Sequence, residues 1–119
     1  MKKALLIISL FFFVNAHVLA NGALAIDSNQ GYQYGFSYNY PTMQDAINRA
    51  LVECGPNCRI VKTFSRGCAA YAADQQPGST AFGWGTASNS NDAQRTAIGY
   101  CRQYGGRQCI IRVWGCNSN

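Results

Sequence analysis

Apolar residues recur along this chain in two rhythms, and the change of rhythm marks its elements. Met43, Ala46, Ile47, Ala50, Leu51 and Cys54 fall at i, i+3, i+4, i+7, i+8 and i+11, the spacing of one apolar helix face. Thr42 with Asp45 three residues on makes a capping-box-like start, and Gly55-Pro56 stops the helix. A second helix carries Ala93, Ala97, Cys101 and Tyr104 on one face, with Asn89 and Asp92 at its start and Gly105-Gly106 at its end. Apolar β-formers over 59–64 and 109–114 predict a strand after each helix. Residues 69–73 are read as a strand although alanine favours helix. Tyr32, Tyr34, Phe36, Tyr38 and Tyr40 alternate with Gln33, Gly35, Ser37 and Asn39. Strict period two would place all five rings on one face of a strand.

These elements repeat. Gly22-Ala-Leu-Ala opens a first half and Gly67-Cys-Ala-Ala a second; Tyr34-Gly35-Phe36 returns as Phe82-Gly83-Trp84. Ala46, Ala50, Leu51 and Cys54 return as Ala93, Ala97, Ile98 and Cys101, and Gly67-Cys68 matches Gly115-Cys116. Four landmarks in one order indicate an internal duplication. The fold class predicted is α+β: two pseudo-repeated strand-strand-helix-strand halves forming antiparallel sheet, with two helices on one face.

Composition adds a compartment. Lys2 and Lys3 precede an apolar run from Ala4 to Val14, and Val18-Leu19-Ala20 supplies small residues for a signal peptidase. That run is shorter than the roughly 20 residues a membrane-spanning helix needs. A signal peptide over 1–20 and a single disulfide-rich α+β domain over 21–119 are therefore expected. The product would be periplasmic or secreted, with no stable membrane anchor, since no cysteine before Cys54 offers a lipid attachment point. Cleavage after Ala20 removes two of the ten basic residues and the single histidine, His17. Without histidine, neither a Ser-His-Asp or Cys-His nucleophile nor a histidine-ligated zinc site can form.

Six cysteines, Cys54, Cys58, Cys68, Cys101, Cys109 and Cys116, follow in the mature part. An even number in a short exported chain reads as a disulfide framework, and the spacings match no zinc pattern. The duplication narrows the fifteen pairings open to six cysteines. Cys54 with Cys58 and Cys101 with Cys109 would each tie a helix end to the next strand. Cys68 with Cys116 would then join the two halves.

The candidate chemistry is that of binding. The tyrosine-rich strand is either core packing with wet edges or a partly exposed platform, with Tyr34, Phe36 and Tyr38 as its contacts. Phe82-Gly83-Trp84-Gly85 is its counterpart; its glycines mark a bend or bulge, or let another backbone or a ligand come close. Arg59, Lys62 and Arg66 crowd one strand and its end, as a solvated face or as a docking surface for an acidic protein or envelope polymer. Five carboxylates remain: Asp27, Asp45, Glu53, Asp74 and Asp92. Asp45 and Asp92 are accounted for at helix starts. Asp27 and Asp74 end strands, which leaves a glycosidase-like pair as a third reading. No cofactor, no metal and no nucleic acid are expected.

Gly22-Ala-Leu-Ala, Cys54 with Cys58 and the strand after it, Gly67-Cys-Ala-Ala-Tyr-Ala, and Ala93 through Cys101 to Cys109 together resemble a bacterial exported family catalogued only as a domain of unknown function. The resemblance covers nearly the whole mature chain. It implies a bacterial periplasmic or secreted domain and carries over no catalytic residue. The expected function is a non-enzymatic binding domain whose partner is an envelope or extracellular protein, for example a toxin or hydrolase that it inhibits. The alternative is a carbohydrate- or peptidoglycan-binding module, with a small hydrolase third.

Overall fold

The computed structural model describes residues 19–27 and 32–118. Apart from Leu19 and Ala20, the expected signal segment lies outside the described residues, as does His17. The elements are β1 (Asn21–Asp27), β2 (Tyr34–Tyr40), α1 (Met43–Cys54), β3 (Cys58–Ser65), β4 (Cys68–Asp74), β5 (Phe82–Ala87), α2 (Ser90–Gln103) and β6 (Cys109–Cys116). The α+β class and the repeated strand-strand-helix-strand order are those the sequence predicts.

Each half forms its own three-stranded antiparallel sheet, in the orders β2-β1-β3 and β5-β4-β6. In β1, Ala23 and Ala25 pack under α1 with Ala46, Ala50 and Cys54. Leu24 and Ile26, on the opposite face, join Phe36, Phe64, Ala69, Tyr71 and Ala73 in a core between the sheets. In β4, Cys68, Ala70 and Ala72 pack under α2 with Ala93, Ala97 and Cys101. The antiparallel sheet is thus two sheets stacked face to face, and each helix covers the outer face of its own sheet. Burying a side chain such as Leu24 or Ile26 contributes about 1.5–3 kcal/mol, so this shared core holds the halves together. The β4 segment overrides alanine's helical preference because it is buried on both faces, and small side chains let α2 and the facing sheet come close.

The duplication extends to irregularities. Val61 in β3 and Arg112 in β6 are each the extra residue of a bulge, opposite Leu24/Ala25 and Tyr71/Ala72. Thr42 Oγ1 accepts the Asp45 N–H at 3.1 Å and Asn89 Oδ1 accepts the Asp92 N–H at 2.8 Å, which caps both helices as their spacing implies. Gly55 (φ 113°) closes α1. Past α2, Gly105 has φ 101° and the Gly106 N–H donates to Cys101 O at 3.0 Å.

Three disulfides are present: Cys54–Cys58, Cys68–Cys116 and Cys101–Cys109. This is the pairing the duplication predicts, with one correction. Cys68 opens β4 and sits directly opposite Cys116 in β6, so the long bridge closes the second half on itself and does not join the halves. Arg66 and Gly67, both left-handed at φ 68°, turn the chain ahead of Cys68 and hand it to the second sheet. The position matching this bridge in the first half is the pair Asn21 and Ser65. Polar contacts join the halves instead. Asn117 Oδ1 accepts the Asn39 N–H at 2.7 Å, and Asn39 Oδ1 accepts the Ser118 N–H.

Candidate functional site

The tyrosine-rich strand does not present one face. Tyr32 precedes β2. Gly22 alone faces Tyr38 and Asn39, a bulge in which Asn39 takes φ 64°. The bulge reverses the alternation, so Tyr40 packs on the α1 side while Tyr34 and Phe36 point between the sheets. Phe36 is buried, stacked on Phe64 with ring centroids 5.8 Å apart. Tyr34 lies against Tyr71 (5.3 Å) and beneath the Arg112 guanidinium (5.7 Å), and its hydroxyl donates to Arg112 O at 3.2 Å. Tyr38 is half-exposed over Gly115, where a Cβ would lie 2.7 Å from its ring. Tyr71, fully buried, has its phenol pKa pushed far above the ordinary 10.0, chiefly by loss of solvent, with Tyr34 and Asp27 adding to the rise and Arg112 opposing it. Arg59 and Lys62 are exposed on β3, an outer strand.

Trp84 leads to a different surface. It lies on β5, an edge strand, with Phe82 stacked beside it at 6.2 Å. Gly83 and Gly85 are not a bend, since β5 pairs with β4 in unbroken register from Ala87 to Phe82. They admit the helix backbone: a Cβ on Gly83 would lie 2.5 Å from Cys101 N and 2.6 Å from Ala97 O. With α2 drawn this close, Tyr100 stands beside the β5 edge and Tyr104 just past the helix end. Gly83, Trp84, Tyr100 and Tyr104 line a cleft of about 320 Å³, and a neighbouring hollow of about 430 Å³ shares Trp84 and Tyr104. Tyr104 is not on the buried face with Ala93, Ala97 and Cys101, as its spacing suggested. The helix ends at Gln103, and Tyr104 is 70% exposed as the C-cap residue. Tyr100 was missed by the sequence reading; the signal available was an aromatic pair at i, i+4 on the polar side of a helix.

The cleft also contains unused main chain. Asp74 N–H donates to Ala81 O at 3.0 Å, so pairs alternate along the ladder and Tyr71–Trp84 is a pair without mutual hydrogen bonds. The Trp84 N–H and C=O therefore point away from β4, over the open edge.

Asp74, Asp92 and Glu53 fill structural roles. Asp74 Oδ1 accepts the Gln108 N–H at 2.8 Å and the Gln76 N–H at 3.3 Å. A hydrogen bond from Ser79 is the largest influence holding its pKa below the ordinary 3.8, with those main-chain donors adding to it. A glycosidase's general acid needs the opposite shift. Asp92 is also held low, first by Asn89 and then by Arg95, its ion-pair partner. Arg49 pairs with Glu53 at 3.0 Å. Among the described residues no group of three or more His, Cys, Asp or Glu side chains could hold a metal ion. Among them, too, no helix is long and apolar enough to cross a membrane.

Residues 21–116 match the model of a family described as Domain of unknown function (DUF4189). No curated protein and no solved structure matches the chain.

Proposed function

The chain belongs to the DUF4189 family, and from that starting point we propose that it is an exported, non-enzymatic binding domain that grips a protein partner through the β5 edge and the Trp84–Tyr100–Tyr104 cleft. Three disulfides suit an oxidising, extracytoplasmic compartment, which agrees with the expected signal peptide. The partner would be an envelope or extracellular protein, with inhibition of a toxin or hydrolase as one form of the role.

The observation that carries this reading is the contrast among the four outer strands. Exposed edges invite pairing with another chain, and proteins ordinarily blunt them with charge or a covering group. Arg59 and Lys62 lie on β3 and Arg112 on β6. On β2, Glu53 Oε1 accepts the Phe36 N–H at 3.1 Å. β5 reads Phe-Gly-Trp-Gly-Thr-Ala, with no charge and no proline, between three aromatic side chains. Tryptophan and tyrosine are the usual anchors of protein interfaces. One observation favours a second reading: two adjoining hollows share Trp84 and Tyr104 in their linings, which also suits a glycan strand.

Affinity capture from envelope extract, with wild type compared against Trp84→Ala/Tyr104→Ala, tests the proposal. One saturable protein partner lost on the double variant supports it. Retention of purified wall polymer and of no protein would favour the glycan reading. Equal capture by wild type and variant would overturn the cleft as the binding site.

A further inference from the structure

The two halves are the same motif, so one half shows what the other's edge is built to receive. Gly35 and Gly83 correspond: a Cβ on Gly35 would strike Ala50 O and Cys54 N, and a Cβ on Gly83 would strike Ala97 O and Cys101 N. With the helices in that register, Phe36 corresponds to Trp84 and Glu53 to Tyr100. Both Phe36 and Trp84 belong to pairs without mutual hydrogen bonds, Leu24–Phe36 and Tyr71–Trp84, so their N–H groups point outward alike. In the first half the chain fills that position with its own Glu53 carboxylate, one oxygen on the Phe36 N–H (3.1 Å) and the other on Arg49 (3.0 Å). In the second half the carboxylate is replaced by the half-exposed Tyr100. No hydrogen bond to the Trp84 N–H is formed among the described residues.

We infer that the β5 edge receives an extended acidic segment of a protein partner, and that a glutamate or aspartate carboxylate of that segment accepts the Trp84 main-chain N–H between the Trp84 and Tyr100 rings. The inference rests on the binding reading above and names its ligand chemistry. A carboxylate on a main-chain N–H makes a charge-assisted hydrogen bond, stronger than one to a neutral carbonyl. At Trp84 the carboxylate takes the place an added strand's carbonyl would hold, as Glu53 does at Phe36, so the segment's main chain would run beside β5 without pairing there. Without Lys2 and Lys3 of the expected signal peptide, eight basic residues stand against five acidic ones, and the positive balance favours an acidic segment.

The test is an amide-resolved NMR titration of the ¹⁵N-labelled, disulfide-intact protein. Its probes are acetyl-(Val-Glu)3-amide and the matching acetyl-(Val-Gln)3-amide, both with blocked ends. The glutamate peptide should shift the Trp84 amide downfield saturably and bind at least tenfold more tightly than the glutamine peptide. Tyr100→Glu should restore the first half's arrangement, shifting the Trp84 amide downfield with no peptide present and abolishing peptide binding. Tyr100 is on the surface, so a wild-type spectrum elsewhere verifies the fold of that variant. Equal binding of the two peptides at Trp84 would overturn the carboxylate while leaving the protein-binding reading standing. No saturable Trp84 shift with either peptide would overturn the inference outright.

Discussion

Removing the Cys68–Cys116 bridge should be the most damaging covalent change this domain can suffer. The bridge has a sequence separation of 48 and fastens the first residue of β4 to the last of β6. Its loop therefore contains the whole second half, both outer strands of that sheet and α2. Chain-entropy arithmetic for a loop of that length gives about 4 kcal/mol. The Cys54–Cys58 and Cys101–Cys109 loops, with separations of 4 and 8, give about 2 and about 2.5 kcal/mol by the same relation. Small domains are stable by about 5–15 kcal/mol in total, so the long bridge accounts for a large share of what holds this one folded. The assay is urea unfolding of Cys68→Ala/Cys116→Ala beside Cys54→Ala/Cys58→Ala, followed by far-UV circular dichroism. With a urea slope of ~1.3 kcal/mol/M for a domain of this size, the first variant's midpoint should fall by roughly 3 M and the second's by roughly half that. A loss below about 1 kcal/mol in the first variant, or equal losses in both, would refute the loop-closure reasoning.

Two glycines should respond in opposite directions. Gly83→Ala forces a Cβ against Cys101 N and Ala97 O and should cost about 1–3 kcal/mol in urea unfolding. Gly99→Ala, inside α2 with open space around its Cβ position, should stabilise by about 0.5–1 kcal/mol. Asp74 titrates below its ordinary 3.8 in the fold, so its contribution is present above pH 4 and lost as pH falls through the lowered value. Thermal melts from pH 5 down to pH 2 should show a steeper loss in wild type than in Asp74→Asn. The Tyr71 phenol is raised above 10.0, so its contribution holds below pH 10 and is lost as pH climbs beyond. Ultraviolet titration should find Tyr71 still protonated at pH 11, so Tyr71→Phe should leave the tyrosinate absorbance at that pH unchanged.

The helices, their caps and the cysteine pairing were legible because each rests on local spacing repeated in two halves. Met43 to Cys54 carries its face, its Thr42 cap and its Gly55 stop within a few residues. The duplication turned six cysteines into one pairing, but it could not tell which strand Cys68 belonged to, because that depends on the Arg66-Gly67 turn. The stacking of two sheets was hidden for a related reason. Alternation in β1 shows two apolar faces, Ala23 and Ala25 on one and Leu24 and Ile26 on the other, without naming what covers each. The Tyr38–Asn39 bulge sent Tyr40 to the opposite face, since period two holds only while the ladder stays in register. The cleft was half visible. Trp84 stood out as an aromatic between glycines, whereas Tyr100 and Tyr104 reach it only because Gly83 lets α2 press against β5.

Site-specific photo-crosslinking tests the central claim, that the β5 edge cleft is where this domain meets its partner. A benzophenone side chain placed at Tyr104 lies in the cleft, and one placed at Val52 lies on the exposed side of α1, 74% accessible and outside the cleft. In cells exporting each variant, ultraviolet light should produce a discrete protein adduct from position 104 that disappears when Trp84→Ala is added, and none from position 52. An adduct from position 52 with none from position 104 would contradict the account.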